Sequence, residues 1–295
     1  MNIVGHRKVF YIFSVTLLIA SVAAIGFWGL RLGIDFTGGS LLEVEFRTER
    51  PAVPELKKST NPLDLGEIRF QPIGERGLFI RLRHITEAEH QAILLALGRV
   101  EGVLEKRFNT VGPTIGRELA QKSLLALGLV ILLIVSYIAW AFRKVSAPVA
   151  SWKYGLATVV ALVHDVIIPT GIFALAGHLA GYEVDTLFVT ALLTILGFSV
   201  HDTIVVFDRI RENLRRRGAS EDFGSLVNTS IGQTFARSLN TSLTVVLALL
   251  AVYLFGGETT RVFALTLIIG IVIGTYSSIF IASPLLVTWH QWQKR

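Results

Sequence analysis

Two His–Asp pairs lie inside long apolar stretches and are the residues best suited to chemistry: His164–Asp165 and His201–Asp202. An ionisable side chain in the hydrocarbon core of a membrane is costly, so each is a candidate functional residue. A carboxyl group held there can bind and release protons, whereas a carboxyl group that only joins helices by hydrogen bonds needs no change of charge. We therefore predict a proton-coupling site at Asp202, with His201 beside it, and Asp165 as a second candidate.

Arg237 is the cation that the sequence places nearest to this site. It opens the next apolar stretch, and Asn240, Thr241 and Thr244 follow it at helical spacing, which gives one polar face. Since Arg237 starts at about the depth of Asp202, a contact between the two across neighbouring helices is one interpretation. The other is that Arg237 extends to the membrane surface and only anchors its helix.

Other chemistries find little support in the sequence. There are no cysteines, which excludes disulfides, thiolate metal sites and a cysteine nucleophile. Adjacent His and Asp residues on a helix point about 100° apart, and no H-E-x-x-H is present, so no metal site is predicted. Asp35-Phe-Thr-Gly-Gly39 lacks the order of a phosphate-binding loop, and Ser199 with His201 lacks a recognisable nucleophile setting. We expect neither an enzyme nor a cofactor.

The elements that carry these residues are predicted to be membrane-spanning helices. Apolar residues make up 52% of the 295 residues and charged residues 17%, and the mean hydropathy is +0.59. Six segments approach or exceed the roughly 20 apolar residues that cross a bilayer. They are Val9–Leu30, Ser123–Phe142, Tyr154–Gly177, Thr186–Phe207, Ser238–Phe255 and Phe263–Trp289. The first is expected to be an uncleaved anchor.

A stripe of small residues runs along the sixth predicted helix. Gly270, Gly274 and Ser278 repeat at four-residue spacing. Such a stripe lets another helix approach closely, and that helix could belong to this chain or to a partner.

Lys and Arg are concentrated at one end of the predicted helices. The segments on the side of the two termini carry 13 of them, including six between residues 208 and 237, whereas the opposing short loops carry only Arg261. By the positive-inside rule, both termini and the segment 208–237, predicted as a loop, are cytoplasmic. Topology explains most of the net charge of +6, so no nucleic-acid partner is predicted.

Residues 31–122 form the one long hydrophilic segment and are predicted to be an external α+β domain between the segments 1–30 and 123–295. They carry 14 basic and 13 acidic residues, as a small domain in water would. Alternation, turn residues and a capping-box pattern predict the elements in a ferredoxin-like order. These are a strand (Leu41–Arg47), a weak helix (Pro54–Ser59), a hairpin (Ile68–Ile73 and Leu78–Arg83), a helix starting at Thr86 with Glu89 as capping partner, and a last strand (Val103–Phe108).

Three motifs, taken in order, resemble the SecD/SecF family of protein-translocase subunits, and in particular its SecF members. They are GIDFTGG at 33–39, VGPTIG at 111–116 and GFSVHDTIVVFDRIREN at 197–213, with RSLNTSL at 237–243 adding to them. This family lies in the resistance-nodulation-division superfamily. The resemblance places the family motif on Asp35, Gly38 and Gly39, the intramembrane carboxylate on Asp202 and its charged partner on Arg237. Family members often have Asn where this chain has His201.

The resemblance implies a multi-pass protein of the bacterial cytoplasmic membrane, with its termini inside. It would act with a SecD-like subunit beside the SecYEG channel, among membrane lipids, and use the proton-motive force to help preproteins complete export. Two alternatives stay open: half of a proton-coupled exporter of small molecules or lipids from the same superfamily, or an assembly factor without energy coupling.

Overall fold

The computed structural model describes residues 2–98, 102–143, 149–217 and 222–293. The chain divides into two compact units, Met1–Arg31 with Leu125–Arg295 and Leu32–Leu124, which we call the membrane unit and the sheet unit. In chain order the elements are α1 (Arg7–Trp28), α2 (Ile34–Thr37), β1 (Gly39–Phe46), α3 (Val53–Thr60), β2 (Arg69–Ile73), β3 (Gly77–Leu82), α4 (Glu87–Gly98), β4 (Val103–Val111), α5 (Pro113–Ala141), α6 (Ser151–Ala180), α7 (Thr186–Arg217), α8 (Phe223–Phe255), α9 (Glu258–Ser277) and α10 (Ser283–Gln293).

The membrane unit confirms the six predicted spans, which are α1, α5, α6, α7, α8 and the combined α9–α10. Helices α6, α7 and α9 pack on one another at the centre, α1 lies against α6, and α8 lies against α7 and α9. Helix α5 joins through the fully buried Ile138 and through Phe142 just after the helix, whose ring centre lies 5.3 Å from that of Tyr154 and 6.0 Å from that of Phe207. The faces that the three central helices turn toward one another are therefore shielded from lipid.

The segment 208–237 differs from the predicted loop, because most of it is helical. Helix α7 continues to Arg217 and α8 already begins at Phe223; residues 218–221 lie outside the described ranges. The apolar pattern predicts that a span ends where charged residues begin. Ion pairs at helical spacing nevertheless support the turns of α7 beyond that point. Glu212 pairs with Arg209 at 2.5 Å and with Arg216 at 2.7 Å.

The sixth span is also not one regular helix. A π-helical segment, Ser278–Ala282, separates α9 from α10. Pro284 has no N–H to give to a regular helical bond, and a wider turn accommodates such a residue. The hydroxyl of Ser283 donates to the carbonyl oxygen of Ser278 at 3.0 Å and so satisfies one backbone acceptor there.

The sheet unit is a four-stranded antiparallel sheet with two helices. The strand order is β2-β3-β1-β4, and the elements follow one another as β-α-β-β-α-β with a 3-10 turn after α3. The sequence gives weak support to α3 because few of its positions are apolar, yet Leu56 is fully buried there. The core consists of alternate strand residues and the inner faces of α3 and α4: Leu42, Val44, Phe46, Leu56, Leu78, Ile80, Ile93 and Leu97.

Candidate functional site

Asp165 lies at the centre of the membrane unit, fully buried where α6, α7 and α9 meet. Its Oδ2 accepts hydrogen bonds from the hydroxyl of Ser199 on α7 and from that of Ser277 on α9, the latter at 2.7 Å. Its Oδ1 lies 2.9 Å from Nδ1 of His164. One carboxyl group therefore connects three membrane helices through groups that can donate protons.

Asp202 follows Ser199 by three residues on α7, and its side chain is 2% exposed. The hydroxyl of Thr275 on α9 donates to its Oδ2 at 3.1 Å, and Thr275 in turn lies 2.5 Å from the hydroxyl of Ser242 on α8. Ser238, one turn before Ser242, also faces this carboxyl group. Asp202 thus connects α7 to α9 and α8, just as Asp165 connects α7 to α9 and α6.

The small-residue stripe of α9 brings these groups together. A Cβ atom added to Gly270 would lie 2.0 Å from Ile195, and one added to Gly274 would lie 3.0 Å from Ser199. Ser278 donates to the backbone oxygen of Ser199 at 3.1 Å. The sequence left open which helix the stripe contacts; it is α7 of this chain, and all three stripe residues are buried. The close approach is what lets the hydroxyls of α9 reach both carboxyl groups.

Arg237 does not join the site, whereas His201 is close enough to Asp202 to act on it electrostatically without a hydrogen bond. Both side chains are exposed, and no hydrogen bond or ion pair joins either to Asp202 within the described part of the chain. Neighbours on a helix point about 100° apart, so Ser238 faces Asp202 and Arg237 faces away. Asn240 and Thr244 are exposed as well. The anchoring interpretation of Arg237 therefore fits this arrangement, and the contact interpretation does not.

The hydroxyl partners were missed by sequence reasoning: Ser199, Ser242, Thr275 and Ser277. Single Ser and Thr residues are common in membrane helices, so none stands out alone. A signal was nevertheless present, since Thr275, Ser277 and Ser278 cluster on the small-residue helix. Ser199 and Thr203 share one face of α7, and Thr203 lies 2.8 Å from Ser278.

The glycine motif lies in the sheet unit and has a packing role there. Gly38 and Gly39 have φ of +75° and +124°, which disfavours a residue with a side chain. A Cβ atom on Gly38 would lie 2.7 Å from Cα of Pro113, and one on Gly116 would lie 2.8 Å from the backbone nitrogen of Gly38. The motifs at 33–39 and 111–116 are therefore packed against each other. Asp35 belongs to the short helix α2 beside them.

The chemistry that this arrangement supports is proton binding. Within residues 2–98, 102–143, 149–217 and 222–293, no three His, Asp or Glu side chains are placed to hold a metal ion. Two buried carboxyl groups and the hydroxyls around them can instead bind a proton and share it through hydrogen bonds. Fold and site together define a multi-pass membrane protein with a small α+β unit and two intramembrane carboxyl groups.

Comparison with known proteins identifies the family. The model of the protein export membrane protein SecD/SecF, C-terminal, matches residues 96–292, and that of the SecD/SecF GG motif matches residues 23–49. The protein translocase subunit SecF of Thermobaculum terrenum is 45% identical over 98% of this chain and 94% of its own length. The SecF of Anaerolinea thermophila is 42% identical over 100% of this chain and 96% of its own length. The chain therefore belongs to the SecD/SecF family, among its SecF members.

A solved structure agrees with this assignment. SecDF from Thermus thermophilus, described as a translocon-associated membrane protein, aligns with 100% of this chain at a TM-score of 0.84 and 31% identity. A second SecDF structure, in a super-membrane-facing form, aligns with a TM-score of 0.71. The chain spans 39% of each SecDF chain.

Proposed function

We propose that this SecF family member works with a SecD-like subunit to help preproteins complete their passage across the bacterial cytoplasmic membrane. The SecF names of its relatives and the translocon-associated SecDF support this role. Because the chain spans 39% of SecDF, a second subunit would supply the other part. The channel that it serves would be SecYEG, with the preprotein as substrate.

The proposed energy source is the proton-motive force, acting through Asp202 and Asp165. The observation that carries this proposal is their burial among hydroxyl groups at the meeting of four helices. Neither carboxyl group pairs with Lys or Arg in the described part of the chain. The basic group in contact with them is His164, whose Nδ1 lies 2.9 Å from Asp165, and a proton that enters from water raises the net charge of this cluster by one. One charge moved through 100 mV provides about 2.3 kcal/mol, enough to shift packed helices between two arrangements.

The proposed orientation follows the basic residues, with both termini and the ends of α7 and α8 near 208–237 in the cytoplasm. The sheet unit would then be an inserted external domain. Its strand order and β-α-β-β-α-β sequence support a ferredoxin-like fold. In this arrangement the sheet unit meets the emerging preprotein, while the carboxyl groups bind protons within the membrane.

Export of a reporter preprotein, measured with and without a protonophore, tests the coupling. Asp202→Asn keeps the size and part of the hydrogen bonding of the side chain but cannot titrate. We expect it to assemble at the wild-type level and to lose the protonophore-sensitive part of export, with Asp202→Glu retaining some of it. The same substitution at Asp165 shows whether one carboxyl group or both are needed.

Thr203→Val is the matched control, because it removes a buried hydroxyl from the same helix without removing a titratable group. We expect it to keep protonophore sensitivity. Wild-type export with unchanged protonophore sensitivity in both Asp202→Asn and Asp165→Asn would show that the carboxyl groups are only structural.

A further inference from the structure

Three arginines surround a cavity at the end of α5 that is separate from the two buried carboxyl groups; Arg211, one of the three, lies nine residues after Asp202 on α7. The cavity has a volume of about 280 Å³ and is lined by Trp140, Ala141, Arg143, Arg211 and Arg215. Arg211 and Arg215 are four residues apart and share a face of α7, and Arg143 is the second residue after the end of α5. The cavity therefore lies between two helices of the membrane unit.

The charge of this cavity is positive. Among the described residues, which omit 144–148 and 218–221, three guanidinium groups and no carboxyl group line it. Arg211 forms an ion pair with Asp208, which does not line the cavity, and Glu212 forms ion pairs with Arg209 and Arg216. Two of the arginines are also held by aromatic rings. The guanidinium carbon of Arg143 lies 4.6 Å from the ring centre of Trp140, and that of Arg211 lies 5.6 Å from the ring centre of Phe142.

We propose that this cavity binds the phosphate group of an anionic glycerophospholipid. Arginine forms paired hydrogen bonds with phosphate oxygens, and ring contacts hold two of the three guanidinium groups, those of Arg143 and Arg211, in place before the ligand arrives. The volume is several times that of one water molecule, which suits a phosphodiester. Basic cavities between helices at a membrane surface are suited to anionic lipid headgroups.

The surroundings favour a lipid over free phosphate. Tyr137 and Trp140 on α5 are 55% and 61% exposed, as expected for aromatic side chains at a membrane surface. Leu133 is 58% exposed and lies about 10 Å further along the same helix, toward the membrane interior. A lipid would place its phosphate in the basic cavity and its acyl chain along the exposed apolar side chains of α5. Free phosphate would contact only the cavity.

The test uses the full chain in a neutral detergent and counts bound lipid by native mass spectrometry. Phosphatidylglycerol is the probe, and phosphatidylcholine is the lipid control. We expect phosphatidylglycerol occupancy to exceed that of phosphatidylcholine and to fall about tenfold in the double variant Arg143→Gln/Arg215→Gln. Arg216→Gln is the matched control, because Arg216 neighbours Arg215 but does not line the cavity. It should bind as the wild type does.

Three outcomes would overturn the proposal. Equal binding of the two lipids would show no preference for an anion, and equal losses in the double variant and Arg216→Gln would show only a general effect of charge. Displacement of phosphatidylglycerol by inorganic phosphate alone would show that the site takes free phosphate. Circular dichroism of each variant checks that the helices are intact. The lipid proposal requires this helix end to lie at the membrane surface and does not require proton coupling. The result of the export assay therefore neither supports nor contradicts it.

Discussion

Glu89 shows how single residues in the sheet unit set its dependence on pH. Its carboxylate accepts hydrogen bonds from the Thr86 N–H at 2.8 Å, the Thr86 hydroxyl at 3.0 Å and the Arg83 guanidinium at 2.6 Å. The Arg83 guanidinium, followed by the Thr86 donors, lowers the pKa of Glu89 from 4.5 to about 2. Since the folded state has the lower pKa, the charged carboxylate stabilises it fully above about 4.5. This contribution is lost as the pH falls toward about 2.

We expect the amides of α4 in the full chain to lose hydrogen-exchange protection as the pH falls from about 4.5 to about 2, after correction for intrinsic rates. Glu89→Gln should be less protected at neutral pH and should lack most of this dependence on pH, because an amide does not titrate. Glu55→Gln, a change at an exposed residue of α3, is the control and should keep it. An unchanged pH profile in Glu89→Gln would contradict the assignment.

The two buried carboxyl groups could be picked out from the sequence by residue type alone. Their hydrogen-bond partners could not, because these depend on the direction in which each side chain points. Asp165 and Asp202 could be found because charge inside an apolar run is rare. The contact between Arg237 and Asp202 could not be judged from sequence, since a rotation of one residue on α8 exchanges Arg237 for Ser238. Thr86 and Glu89 behaved as predicted because a capping box is a local interaction with fixed spacing.

Among the elements, the contact between α7 and α9 depends closely on side-chain size. The Cβ atom of Gly270→Ala would lie only 2.0 Å from Cδ1 of Ile195, which is too close for two carbon atoms. The helices must therefore separate, or Ile195 must move. We expect the variant to be destabilised by about 1–3 kcal/mol in thermal unfolding of the full chain in detergent. A second change, Ile195→Ala, should recover part of the loss by making room.

Gly128→Ala is the control for this contact, because nothing lies within 4 Å of its added Cβ atom on α5. It should be neutral or slightly stabilising, as alanine is in most helices. If Gly270→Ala unfolded at the same temperature as the wild type, the close approach of α7 and α9 would not be needed for stability.

Element boundaries show where hydropathy predicts well and where it fails. The six spans could be found because each has a long apolar run, β1 because its apolar residues alternate, and β2 and β3 because turn residues separate them. The extra turns of α7 after Phe207 could not, since they lie in a stretch rich in charge, where the fully buried Ile210 and the ion pairs of Glu212 support them together. The π-helical segment could not either, because it depends on how Pro284 and Ser283 satisfy the backbone.

For the whole molecule, the orientation in the membrane is the property on which the proposed mechanism depends. The chain has no native cysteine, so single cysteines can report which side they face. We expect Glu55→Cys to react with a membrane-impermeant thiol reagent in intact spheroplasts and Arg216→Cys to react only after the membrane is opened. Both side chains are exposed, so burial does not prevent labelling. The reverse pattern would place the sheet unit in the cytoplasm.

The π-helical segment sets the rotation of α10 relative to α9, and so determines which side chains of the sixth span face their partners before and after it. Before it, Thr275 and Ser277 meet the carboxyl groups. After it, Thr288 lies 3.1 Å from Tyr11 of α1, and the ring of His290 lies 5.0 Å from that of Phe223. Removing one residue from the wide turn would rotate α10 by about 100° relative to α9. The extra residue thus acts as a spacer that keeps the end of the helix that contacts the carboxyl groups in register with the end that contacts α1 and α8.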